Sequence, residues 1–247
     1  MSRTDRLVGL ARSMAIYHLI PRRQRQLRTL YSRWLRAGDL VFDIGAHVGN
    51  RTRAFAALGC RVVAVEPQPS VAAVLRLLAG RLPAVTVVEC AVAEQAGRAV
   101  LAVSDRTPTV STLTPAWREA RRRDRSFAGV EWNRDVEVDA TTLDALVAQF
   151  GVPAFVKLDM EGGELAALRG LTTPVPGVSF EYLSDALDAA AACAARLAAL
   201  GPYRFNWSPG ESSRLGSEEW LVDRALVERL AALPAGHGDV YARRLGA

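Results

Sequence analysis

Five short apolar runs, "LVFDIGA", "RVVAVEP", "VTVVECAV", "AFVKLDM" and "GVSFEYL", recur from residue 40 onward with helical patterns between them. Runs of this length without apolar/polar alternation are the mark of strands covered on both faces. Parallel strands need crossovers, and helices between the runs supply them, so the pattern predicts an α/β fold around a mostly parallel sheet. Between the first two runs, "NRTRAFAALG" spaces Ala54, Phe55, Ala57 and Leu58 helically and stops at Gly59. "SVAAVLRLLAG" opens on Ser70 as the expected N-cap and stops at Gly80. Later, "RAVLAVS" and "YRFNWSPG" read as strands, "TTLDALVAQFG" and "SEEWLVDRALVERLAAL" as capped helices, and "GDVYARR" as a last short strand.

The alternation breaks between Ser104 and Val138, where Pro, Ser, Thr and a run of arginines replace any long periodic face. A stretch of this length inside a compact domain is usually functional or disordered; 104–138 is read as an insertion serving as a lid or acceptor-recognition segment, the alternative being a solvated insertion with no role. The chain of 247 residues is long enough for one well-buried core, expected over 38–247, preceded by a basic helical extension over 1–37. Half the residues are hydrophobic, which excludes a disordered protein. The net charge of +5 is carried by arginine, since Lys157 is the only lysine, and a general arginine bias explains it without a nucleic-acid partner. Cys60, Cys90 and Cys193 are odd in number and widely spaced, so neither a disulfide framework nor a paired-cysteine metal site is expected, and a reducing cytoplasm fits. Arg12 interrupts the apolar N-terminal stretch, so no signal peptide or transmembrane segment is expected.

The first run ends in Asp43, Gly45 and Gly49, spaced D-x-G-x-x-x-G ahead of a helix. Glycines there allow a tight turn and close approach of a ligand. A dinucleotide fold would put a glycine where Asp43 stands, and a carboxylate repels phosphate. It suits S-adenosylmethionine, whose ammonium and sulfonium are both positive. Twenty-three residues on, Glu66 closes the second run, placed to accept hydrogen bonds from ribose hydroxyls. Cys90 and Ala91 end the third run, where backbone groups can meet an adenine or simply pack in the core.

The fourth run ends in "KLDMEGGE". Lys157 and Asp159 are two apart on a strand and share a face, so their pairing offsets part of the cost of burying either. Asp159 is the functional candidate at this strand end. Glu161 is balanced between function and structure. Glu164, with Glu161 expected beside it in the first helical turn, is assigned to the helix dipole. No further ligand set accompanies Asp159 and Glu161, so no metal is assigned.

With "DIGAHVG", "EPQP" and "KLDMEGGE" in this order, the sequence resembles the FkbM family of S-adenosylmethionine-dependent methyltransferases across roughly residues 38 to 183. The departure is His47, where the family commonly has asparagine; it is read as a loop histidine hydrogen-bonded to backbone rather than a base. The resemblance implies a class I, Rossmann-like seven-stranded sheet with helices on both faces and an antiparallel C-terminal strand. It implies methylation of a hydroxyl on a sugar, glycan, polyketide or other secondary metabolite. Asp43, Gly45, His47, Gly49, Glu66, Cys90, Ala91 and Asp159 are then the candidate cofactor-binding residues, and Lys157, Asp159 and Glu161 the candidate catalytic ones. A nicotinamide-dependent oxidoreductase is the alternative on a similar sheet, disfavoured by the missing G-x-G-x-x-G. An RNA-binding or RNA-modifying protein using Arg121, Arg122, Arg123 and Arg125 is the other; carboxylates offered to a polyanion argue against it.

Overall fold

The computed structural model describes residues 8–14 and 21–246; the helical expectation for residues 1–7 and 15–20 lies outside them. Residues 8–14 are helical, and helix α1 covers Pro21–Tyr31. The main body then runs β1 (Leu40–Ile44), α2 (Asn50–Ala57), β2 (Arg61–Val65), α3 (Pro69–Leu78) and β3 (Val85–Val88). It resumes at α5 (Leu143–Phe150), β7 (Phe155–Leu158), α6 (Glu164–Arg169), β8 (Gly177–Leu183), α7 (Leu187–Leu200), β9 (Tyr203–Pro209), α8 (Asp223–Ala231) and β10 (His237–Arg244). Between the two parts lie β4 (Ala91–Val92), β5 (Gly97–Val103), α4 (Pro115–Arg123) and β6 (Arg134–Thr141).

Seven strands form one sheet in the order β3-β2-β1-β7-β8-β10-β9. All neighbours from β3 to β8 are parallel, and β10 is antiparallel to both β8 and β9. This is the seven-stranded, mostly parallel sheet with an antiparallel C-terminal strand that the family resemblance implies. The reversed strand is last in the chain but one place in from the sheet edge. Its eight residues are longer than a short final strand, because it pairs along its length on both sides.

Three local expectations need correction. "VTVVECAV" is two strands: β3 stays in the main sheet, while β4 turns away at Glu89–Cys90 and joins β5 and β6 in a separate three-stranded sheet. The N-cap of α3 is Gln68, not Ser70, because Pro69 fits the first helical position, where no N–H is needed. The segment from Ser217 to Leu221 is not helical; Leu221 bridges Phe205 on β9, and α8 begins only at Asp223.

The two faces of the main sheet differ. One is apolar throughout, with Phe42, Ile44, Val156, Leu158, Val178, Phe180 and Val240 packed under α5, α6 and α7. The other starts apolar, where Leu27, Leu30, Tyr31 and Leu35 of the N-terminal segment pack on Val41, Phe55, Phe155 and Tyr241. Toward the carboxyl ends of the parallel strands it turns polar. Register places Asp43 beside Lys157, Lys157 beside Ser179, and Ser179 beside Tyr241, in one row across the sheet. The next row holds Glu181 beside Asp239, and Asp239 beside Ser208. Period-two alternation on adjacent strands therefore stacks two polar rows where an open α/β sheet binds its ligand.

Candidate active site

A cavity of about 290 Å³ opens above these rows. Asp43, Gly45, His47, Glu66, Cys90, Ala91, Lys157, Asp159 and Glu161 all line it. Gly49 does not. It turns the chain into α2 at φ 84°, and a Cβ there would lie 2.8 Å from the Leu75 side chain, so its place is in helix packing.

The floor is built from β1 and β7. Asp43 is 1% exposed, and its Oδ2 accepts from the Thr52 hydroxyl at 2.5 Å. Burial raises its pKa, an effect opposed by Lys157 and the Thr52 hydrogen bond. Gly45 adopts φ 73°, and a Cβ on it would stand 1.8 Å from the Asp159 carbonyl oxygen. No other residue fits where the two strand ends come this close.

Glu66, at the end of β2, accepts from the backbone N–H of His47 through one carboxyl oxygen and of Gln68 through the other, each at 2.9 Å. Burial pushes its pKa up to about 7, with those two N–H bonds pulling the other way. His47 thus donates its backbone N–H to Glu66 from a left-handed turn at φ 50°. Cys90 and Ala91 form the wall where β3 gives way to β4. All three cysteines are buried and unpaired.

Lys157 is 1% exposed and forms an ion pair with Asp159, as their shared face predicts. Burial opposes ionisation of Asp159, but Lys157 and Arg51 outweigh it and hold the pKa low. Glu161 is not in the first turn of α6. It sits at φ 51° ahead of Gly162 at φ 91°, and this left-handed pair turns its side chain over the strand end, while α6 starts at Glu164. Glu164 is buried and accepts from the Met160 N–H at 2.8 Å, a turn-closing contact.

Sequence reasoning missed Glu181, Arg51 and Asp239. Oxygens of Asp159, Glu161 and Glu181 lie within 4.8 Å of one another, a grouping that could hold a divalent cation. Burial, then repulsion from neighbouring carboxylates (Glu181 and Asp159 on Glu161, Asp159 and Glu164 on Glu181), drives the pKa values of Glu161 and Glu181 well above the usual carboxylate range. A proton, a metal ion or an organic cation would each relieve that repulsion. The available signal was an acidic residue interrupting an apolar strand, Glu181 in "GVSFEYL" and Asp239 in "GDVYARR". Arg51 ion-pairs with Asp239 at 3.0 Å.

The insertion covers one side of the cavity. Pro108, Thr109, Ser111 and Leu113 line it, Ser111 Oγ donates to Gln68 Oε1 at 2.9 Å, and Thr112 Oγ1 donates to the Glu161 carbonyl at 2.7 Å. Trp117 packs on Gly162 so closely that a Cβ there would lie 2.6 Å from the indole.

The family model for the methyltransferase FkbM domain matches residues 43–182, which contain Asp43, Glu66 and the whole "KLDMEGGE" segment. The chain belongs to the FkbM methyltransferase family. Membership selects methyl transfer over the nicotinamide alternative, and family and fold together imply S-adenosylmethionine as methyl donor. Among solved structures, a precorrin-6y C5,15-methyltransferase from Geobacter metallireducens is 14% identical with a TM-score of 0.46, the match covering 90% of this chain and 87% of that one. A TehB-like S-adenosylmethionine-dependent methyltransferase from Corynebacterium glutamicum is 8% identical with a TM-score of 0.46, covering 89% and 87%. No curated protein matches the sequence. Among the described residues of this FkbM-family chain, no helix is long and apolar enough to cross a membrane.

Proposed function

We propose that the protein is an S-adenosylmethionine-dependent O-methyltransferase acting on a hydroxyl of a sugar, glycan, polyketide or similar secondary metabolite. The observation that carries this reading is that one cavity is lined by the ends of strands ordered β2-β1-β7-β8, which present in turn Glu66, then Asp43 and Gly45, then Asp159 and Glu161, then Glu181. The donor set fits the cofactor. Glu66 keeps lone pairs for ribose hydroxyls, Cys90 and Ala91 flank the base, and Gly45 lets the methionine end lie against the sheet.

Bound there, S-adenosylmethionine supplies a methyl group on a positively charged sulfur, which passes to the acceptor oxygen as the C–S electron pair returns to sulfur. The chain's own part is to place the acceptor and take its proton. Alignment of the two reactants can be worth roughly 7 to 11 kcal/mol and a general base about 3 to 5 kcal/mol, so positioning is the larger contribution. Glu161 and Glu181 accept hydrogen bonds from acceptor hydroxyls, and the pair takes up the released proton. Their raised proton affinity suits that task, and a nearby positive sulfur favours their ionised form. Lys157 and Asp159 hold this end of the cavity in shape. The 104–138 segment supplies the acceptor-facing wall, and the carboxylates disfavour a polyanionic acceptor.

Calorimetry with S-adenosylhomocysteine tests the reading: wild type binds and Glu66→Ala binds at least about tenfold more weakly. Absence of wild-type binding, or indifference to the substitution, overturns it.

A further inference from the structure

The cavity is strongly anionic, with seven carboxylates in its lining against two permanent cations, Lys157 and Arg51. Lys157 is committed: it is 1% exposed and held by Asp159, with Asp43 beside it in register. Arg51 is not. Its side chain is 14% exposed, and Asp239 takes one guanidinium N–H at 3.0 Å, while the others have no acceptor among the described residues. A guanidinium presents a fork of donors that matches a carboxylate bidentately. Arg51 is the second residue of α2, directly after the glycine turn, where the helix terminus also favours negative charge.

This inference rests on the S-adenosylmethionine reading. With the adenosine at Glu66 and Ala91, the methionine end extends over β1 and β7, bringing one ammonium and one carboxylate beside Asp43 and Asp159. The ammonium suits that wall; the carboxylate needs a cation. We propose that Arg51 anchors the carboxylate of the cofactor's methionine end, with Asp239 holding the guanidinium in place.

The test compares S-adenosylhomocysteine with methylthioadenosine, which keeps the adenosine and sulfur but lacks the amino-acid end. Both are titrated calorimetrically into wild type, Arg51→Met and the double variant Arg51→Met/Asp239→Asn, in which no unpaired Asp239 charge remains. Both variants are expected to lose about 10- to 100-fold in affinity for S-adenosylhomocysteine. Methylthioadenosine is expected to bind all three within about twofold, which also reports that the variants fold. Equal losses for both ligands in the double variant would assign Arg51 a structural role and overturn the inference. Full retention of S-adenosylhomocysteine affinity overturns it too. A wild type that binds neither ligand overturns the cofactor reading and this inference with it.

Discussion

At the scale of single residues, two positions give direct tests. Glu66 titrates at about 7 because it is buried, so it is ionised above that pH and holds a proton below it. Ribose hydroxyls donate, so the ionised form is the better acceptor. S-adenosylhomocysteine affinity is expected to fall about tenfold from pH 8 to pH 6, where roughly one molecule in ten keeps Glu66 ionised. Glu66→Gln should flatten that slope; an unchanged slope assigns it to other carboxylates. The same shift has a stability sign. Between 4.5 and about 7 the folded chain holds a proton the unfolded chain has lost, so this group's contribution to stability falls as pH rises through that window. Gly45→Ala puts a Cβ against the Asp159 carbonyl in a left-handed backbone and should cost about 3 kcal/mol or more in urea unfolding. A loss below about 1 kcal/mol would mean that the two strand ends can part.

At the scale of elements, the insertion is ordered against the body through a latch of aromatic and charged contacts. Arg121 of α4 is buried, pairs with Asp124 at 2.9 Å and Asp185 at 2.7 Å, and lies over Trp117 and Phe127. Both carboxylates are partly solvated, which limits what the pairs are worth. Arg121→Met is expected to cost about 1 to 2 kcal/mol and to raise amide hydrogen exchange in residues 108–127 above that in β1 and β7. Exchange rising equally everywhere would argue against a local latch. None of this was legible in the sequence, where the segment shows arginines and no long periodic face. Its helix is short, and its apolar residues pack on β5 and on Gly162 rather than along one stripe.

At the scale of the whole molecule, the N-terminal segment is part of the core. Tyr31 is 0% exposed, with its ring centroid 4.5 Å from that of Phe55 and 5.6 Å from that of Phe155. Tyr31→Ala is expected to cost about 3 to 5 kcal/mol by thermal or urea unfolding. A cost near zero would show that α1 docks without supporting the sheet. The sequence by itself determined most strands of the main sheet, their parallel run and several strand-end residues that line the cavity, because strand-end motifs and apolar runs are local and survive without contacts. Asp43, Gly45 and Glu66 were readable for that reason, and so was the pairing of Lys157 with Asp159, two residues apart on one strand. Only the tertiary structure brought Glu181 and Asp239 to the cavity and set Arg51 against Asp239, 188 residues away in the chain. Those placements depend on the register between β7, β8 and β10, and register is a property of strands meeting in space that no single stretch of sequence records.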